Sequence, residues 1–289
     1  MLVDLQYENS PLIELDVAAR THAGMKRDNN EDRVLVADLL GQRAAGDGFE
    51  GRLAVGSGSL LLAVCDGIGG NAGGEIASGA AVTELYRVAL GRLPGRSLEA
   101  VASGLFDCVN ETSRRIEQLA REQPALRGMG TTATVCTVAG DSLIVAHVGD
   151  CRAYLLRSGE LFRLTRDQTL MALLLERGQL KPEEAQHFEY AHVILQALGS
   201  AQGIEMDLGT LPLGRGDVLL LCSDGLHGCV AEHLIACALG RGAPSAHIAD
   251  ELIALGLEAG APDNLSCVVA RFGGALPPRP ERPAVERFV

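Results

Sequence analysis

The sequence predicts an α+β fold in which antiparallel sheets stack on one another and helices pack outside. Two observations carry this. Strand-like segments come in blocks joined by tight-turn residues, and helical segments come in pairs between the blocks rather than one after each strand. A hydrophobic content of 47% over 289 residues supports a sizeable core, and with 3% aromatics and no Trp that core must be Leu, Val, Ala and Ile.

Residues 1–15 precede the pattern and are read as an arm or an extra edge strand. "ELDVAART" alternates like a strand, and "DRVLVADLL" like its hairpin partner, with "HAGMKRDNNE" between them. "GQRAAGDGFEGRLAVGSGS" reads as a Gly-rich connector and "SLLLAVC" as a buried strand. Helical patterning follows over 75–90 and 97–122. "TTATVCTVAG" and "SLIVAHVGD" form a hairpin turning at Gly140-Asp141, and "CRAYLLRSGELFRLT" another turning at Ser158-Gly159. Residues 167–198 read as helical and amphipathic, "GDVLLLCSDG" as a strand, 231–259 as helical, and "NLSCVVARF" as the last strand. The Pro-rich, charged residues 273–289 are expected to be disordered.

A net charge of −12 argues against a broad nucleic-acid or anionic-lipid surface. The eight cysteines form no C-x-x-C pair, and Cys65, Cys136, Cys222 and Cys267 sit in apolar runs, as reduced core thiols do. No apolar run reaches the ~20 residues of a membrane span, and the N-terminus lacks a signal-peptide pattern. A cytoplasmic monomer is therefore expected.

Several strands end or begin at an acid. "LLLAVCDG" ends at Asp66, "SLIVAHVGD" at Asp150 and "VLLLCSDG" at Asp224, while Asp263 precedes the last strand and Glu31 and Asp32 open "NNEDRVLV". One acid at a strand end is an ordinary turn residue. Stacked sheets, however, bring such ends together, and clustered carboxylates need a cation to stay ionised. All-oxygen ligands select Mg²⁺ or Mn²⁺, and two such ions can turn water into hydroxide and steady in-line displacement at phosphorus. Arg27, four residues before Glu31, adds a guanidinium fork suited to phosphate; the bland reading is a surface ion pair with Asp28.

The ordered series "RDNNED", "VCDGIGG", "GTTAT", "VAHVGDCRAYL", "LTRDQTL", "LLLCSDGL" and "APDNLSCVV" resembles the metal-dependent protein phosphatases, the type 2C Ser/Thr phosphatases, in their bacterial form. The similarity spans residues 16–272. It implies two stacked antiparallel sheets flanked by helices on both sides, with a variable flap over 165–198. It also implies a site. Asp66 would bridge two catalytic metals with the Gly67 carbonyl as a further ligand, and Asp224 and Asp263 would complete the first metal's shell. Glu31 and Asp32 would hold metal-bound waters, Arg27 would clamp the substrate phosphate, and Asp150 with Asp224 would hold a third, weaker metal. Asn264 would be a supporting or turn residue.

The implied cofactors are Mn²⁺ or Mg²⁺. The implied substrates are phosphoserine and phosphothreonine proteins, in opposition to a Ser/Thr kinase. Ile68 stands where animal members place a His, which leaves the proton donor to the leaving group open. Cys151 replaces the commoner Ser of "GDSR" and reads as an inert buried thiol. His147 and His192 read as structural.

Two rival readings compete with this one. Gly67, Gly69 and Ala72 satisfy the dinucleotide fingerprint G-x-G-x-x-A, but Glu84 falls inside an Ala-rich helix where a second strand should end, and there is no G-K-[ST] for ATP. The other is a weakly active or non-catalytic phosphatase-fold regulatory module. It should have lost a bridging or terminal ligand, whereas Asp66, Asp224, Asp263 and Arg27 are all present.

Overall fold

A computed structural model describes residues 13–69, 73–94, 97–185 and 188–288. Two antiparallel sheets lie face to face, as the sequence predicts. The first has the order β10 (Glu160–Arg163), β9 (Arg152–Arg157), β12 (Val218–Cys222), β13 (Leu265–Gly274), β1 (Ile13–His22), β4 (Glu50–Val55). The second runs β14 (Glu286–Phe288), β11 (Asp207–Pro212), β8 (Ser142–Val148), β7 (Ala133–Ala139), β5 (Leu60–Ile68), β2 (Asp32–Asp38), β3 (Arg43–Ala45), with β6 (Gly130–Thr131) added to the end of β5.

The near-continuous apolar runs arise because most of these strands are covered on both faces. On β5, Leu60, Leu62 and Val64 face the other sheet and meet Leu15, Val17, Leu219, Val268 and Phe272. The alternate residues Leu61, Ala63 and Cys65 pack under α1 (Gly73–Arg92) and α2 (Leu98–Glu122). On the far side Leu220, Cys222, Cys267 and Val269 pack under α6 (Glu232–Gly240) and α7 (Ser245–Glu258). Each fully buried Leu, Val or Phe contributes about 1.5–3 kcal/mol over exposure. Three apolar layers therefore hold four layers of structure in one stack.

Both expected hairpins form: Ala139 faces Ser142 across the first turn, and Arg157 faces Glu160 across the second, where Ser158 and Gly159 take positive φ. Four other expectations are corrected. β1 and β2 are not a hairpin: β1 pairs with β13 and β4, whereas β2 pairs with β5 and β3 in the other sheet. Residues 23–31 thus cross between the sheets. The Gly-rich connector contributes β3 and β4. Residues 167–198 are not continuously helical, giving only α3 (Leu170–Glu176) and α4 (Pro182–Ala185) before an irregular return that bridges Thr169 to Ile194. The expected helix over 231–259 is broken between α6 and α7, where Gly242 has φ +72° and Pro244 caps α7.

The chain ends differ as well. β1 begins at Ile13, so the expected arm shortens at its inner end, and residues 1–12 lie outside the described residues. The tail does not detach at Gly273. β13 runs to Gly274, Leu276 is buried, Arg279 pairs with Asp141, and β14 adds to the open edge of β11. Backbone pairing at a free sheet edge needs few side-chain contacts, so Pro-rich composition does not forbid it. Among the described residues, no helix is long and apolar enough to cross a membrane.

Candidate active site

The acids singled out in the sequence collect at one end of the sandwich. Asp32 opens β2 directly opposite Asp66 near the end of β5. Asp150 follows β8, Asp224 follows β12 and begins the short α5 (Asp224–His227), and Asp263 precedes β13. Asp66, Asp150 and Asp224 come at the ends of incoming strands, and Asp32 and Asp263 at the starts of outgoing ones.

Their positions are fixed by neighbours. The Asp66 backbone N–H donates to Thr132 Oγ1 at 2.9 Å, and its carbonyl accepts from Thr131 Oγ1 and the Thr132 N–H, both at 2.8 Å. Ser223 Oγ donates to Asp32 Oδ2 at 2.7 Å and accepts from the Ser266 N–H at 3.0 Å, linking β2 to β13 across the sheets. The Asn264 amide donates to the Ala23 and Asn29 carbonyls, and its oxygen accepts from the Glu31 N–H at 2.8 Å. Asn264 thereby holds the crossing loop that carries Arg27 and Glu31.

The glycine-dense segment after β5 works by close approach. A Cβ on Gly67 would lie 2.1 Å from the Gly74 carbonyl oxygen, so α1 can rest on the strand end only there. A Cβ on Gly74 would lie 2.8 Å from the Glu31 carboxylate. Ala72, the last residue of the dinucleotide-like pattern, is outside the described residues.

Electrostatically the cluster is strained. Burial, then Asp32, Asp224, Asp150 and Asp263, push the Asp66 carboxyl well above the ordinary range. Burial first, then Asp224 and Asp263, against hydrogen bonds from Ser223 and Ser266, push Asp32 up to about 7. Burial, Asp224 and Asp167 push Asp150 to about 8. Asp224 is raised by burial and Asp263 and held down in part by its hydrogen bond with Asp66. Arg27, half-exposed, donates to Asp263 Oδ2 at 2.6 Å, and that contact raises its own pKa further. The bland pairing of Arg27 with Asp28 is not what the structure shows.

These residues suit a hard divalent cation. The donors are carboxylate oxygens, they repel when ionised, and the buried Asp150 Oδ1 has no hydrogen-bond partner. Among the described residues no three acidic, histidine or cysteine side chains form a ready-made ligand set. Asp66 and Asp224 instead lie close enough to perturb each other's ionisation, and Arg27 occupies Asp263. The donor chemistry and the orphaned Asp150 oxygen still fit a hard cation, although as placed the side chains are not closed around one and Asp263 is taken up by Arg27.

Sequence reasoning missed several supports. Thr132, Ser223 and Ser266 gave no signal beyond being small polar residues near strand ends. His192, which the sequence reads as structural, sits exposed on the flap near enough to Asp224 to help lower its pKa. His147 is buried between Thr134 and the Arg166 carbonyl, a structural placement. The Cys151 thiol is buried, shares a hydrogen bond with Thr132 Oγ1, and has its pKa raised by burial and by Asp66, so it is not reactive. The flap hangs from the acid-bearing strands at both ends: the Gln168 N–H donates to the Gly149 carbonyl, and Leu198 and Thr131 exchange backbone bonds.

Carboxylates gathered at one end of two stacked sheets, with a guanidinium beside them, are the arrangement that the resemblance to type 2C phosphatases implies. Comparison with known proteins agrees. Residues 49–173 match the family description "Protein phosphatase 2C". The chain is 37% identical over 262 residues to the serine/threonine protein phosphatase PstP of Mycobacterium tuberculosis, covering 89% of this chain and 45% of PstP. It is 33% identical over 252 residues to the protein phosphatase PhpP of Streptococcus pneumoniae, covering 87% of this chain and 95% of PhpP. The crystal structure of the PstP catalytic domain in complex with two manganese ions superposes with a TM-score of 0.70 at 35% identity, over 90% of this chain and 99% of that one. The chain belongs to the protein phosphatase 2C family. It spans less than half the length of PstP.

Proposed function

We propose that this chain hydrolyses phosphoserine and phosphothreonine monoesters in proteins, using two divalent metal ions, and so opposes a Ser/Thr kinase. The observation that carries this is the convergence of Asp32, Asp66, Asp150, Asp224 and Asp263 at one sheet end beside Arg27, where burial and neighbouring carboxylates raise the pKa of Asp32, Asp66, Asp150 and Asp224. The ions would be Mn²⁺ or Mg²⁺, with manganese supported by the PstP structure. When bound, they would supply an activated water and neutralise the phosphate's charge.

The protein's part can be stated residue by residue. Asp66, the Gly67 carbonyl, Asp224 and Asp263 would hold the ions, with Asp66 as the central carboxylate. Glu31 and Asp32 would hold metal-bound water, Asp32 through a buried carboxylate that already accepts from Ser223 Oγ. Asp150 and Asp224 offer a weaker third position, and the unpartnered Asp150 Oδ1 supports that role. Arg27 leaves Asp263 and takes the substrate phosphate through its fork, orienting the ester for in-line displacement. Ile68 has no proton to give, so the leaving alcohol receives its proton from water.

All eight cysteines are free, which supports work in a reducing compartment, the cytoplasm. A fold without chemistry would not be expected to keep the whole charge-strained cluster. The test is manganese-dependent phosphate release from a phosphoserine peptide and from p-nitrophenyl phosphate. Asp66→Asn and Asp224→Asn should each abolish it, and full activity in either variant or in excess chelator would overturn the reading.

A further inference from the structure

A cleft of about 470 Å³ opens where the carboxylate strand ends. Ile68, two residues beyond Asp66 on β5, forms one wall, and Ala120, Met129 and Leu198 add further apolar lining. Met129 and Leu198 are 3% and 0% exposed, so this lining belongs to the packed core and keeps its shape. Two arginines stand at the cleft. Arg121 is neutralised by Glu117 one helical turn away, but no carboxylate pairs with Arg127 among the described residues. In a chain of net charge −12, an exposed and unpaired guanidinium beside an apolar cleft calls for an anionic partner.

We propose that this cleft takes the residues flanking the phosphoserine of a protein substrate, with an apolar side chain in the cleft and a carboxylate on Arg127. The proposal rests on the phosphatase reading above and names the substrate class of that same site. Its support is continuity together with charge. The two residues from Asp66 to Ile68 span about 7 Å, and an extended substrate covers that distance in the same number of residues. The apolar contact therefore falls two or three residues from the phosphoserine, and the acidic contact just beyond it. Arg127 and the cleft lining would select among phosphoproteins, while Arg27 reads only the phosphate that all of them share. Apolar anchoring beside a single charge is the usual composition of a selective site.

The manganese-loaded enzyme is assayed on p-nitrophenyl phosphate, which is too short to reach the cleft, and on short phosphoserine peptides. One set carries Leu at two and three residues from the phosphoserine with Glu beyond. A second replaces Glu by Lys, and a third replaces Leu by Ser; each is made in both directions along the chain. In one direction, kcat/KM for the Leu–Glu peptide should exceed that for the Leu–Lys peptide by about tenfold. Arg127→Gln should remove that preference and Arg127→Glu should reverse it. Ala201→Phe, at the exposed rim, should lower kcat/KM for the Leu peptides severalfold and leave the Ser peptide unchanged. All three variants should hydrolyse p-nitrophenyl phosphate within about twofold of the parent, which also reports that they are folded. Equal rates on Glu and Lys peptides, unchanged by Arg127→Glu, would overturn the cleft assignment and leave the phosphatase reading standing. Failure of the parent on every substrate would overturn both.

Discussion

The acid end of the sandwich and the flap beside it are built on opposite terms. Asp32 and Asp150 are 1% and 4% exposed, sit at strand termini, and are surrounded by side chains that leave them almost no freedom. The flap's α3 and α4 bury no residue at all, and its return leaves Tyr190, Val193 and Leu195 exposed. One region stores electrostatic strain in a rigid frame. The other is a light attachment tied to that frame at Gly149 and Thr131. The contrast teaches that the frame and not the flap bears the mechanical demand of the site. Carboxylates must be held to a fraction of an ångström to act on phosphate, whereas the flap is only anchored beside them.

That division can be broken or sharpened by substitution. Asp66→Asn should have the largest effect, lowering manganese-dependent turnover of p-nitrophenyl phosphate by about 10³-fold, since it removes the central carboxylate of the proposed metal pair. Ser223→Ala should come next. It strips Asp32 Oδ2 and the Ser266 N–H of a shared partner, costing about 1–3 kcal/mol of stability by denaturant unfolding. It should also weaken manganese binding by about 10–100-fold.

A pH series on the metal-free protein gives an intermediate effect. Asp32 and Asp150 have folded pKa values near 7 and 8, above the unfolded value, so the folded state binds more protons than the unfolded state between about pH 4 and those values. Stability from this source is fully present below about pH 4 and is lost as pH rises through 7 to 8. The melting temperature of chelated protein should therefore fall between pH 5 and pH 8, other things equal, and added manganese should flatten the curve. The smallest effect is expected on the flap. His192→Ala removes an exposed imidazole near Asp224 and should change p-nitrophenyl phosphate turnover by no more than about fivefold. A loss as large as that of Asp66→Asn would place the flap within the chemistry and erase the division.

The same contrast explains how much the sequence revealed. Asp66, Asp150 and Asp224 were legible because a buried strand that stops at an acid leaves a one-dimensional mark, an apolar run followed by a carboxylate, and Asp263 leaves the reverse mark, a carboxylate just before such a run. The stacking of the sheets then makes their convergence a matter of geometry. What lay outside local pattern was not legible. Alternation in β1 and β2 identifies two strands without saying that they belong to different sheets, and a loop over residues 23–31 suits a hairpin as well as a crossover. The flap's short helical turns share the periodicity of one long helix, and only the pairing of Thr169 with Ile194 shows that the chain doubles back. Nothing in the local composition around Glu286–Phe288 announces that β11 has a free edge to receive it. The supports of Asp32 were hidden for a similar reason, since Ser223 lies 191 positions away in sequence.

The central claim is that the acid cluster is a divalent-metal centre kept partly protonated until the ions arrive. Calorimetric titration of Mn²⁺ into metal-free protein at pH 7, repeated in buffers of different ionisation enthalpy, tests it most directly. At least two ions per chain should bind, with net proton release because the raised carboxylates must ionise to ligate, and Asp66→Asn should abolish both signals. Absence of manganese binding, or binding of two ions undiminished in Asp66→Asn, would contradict it.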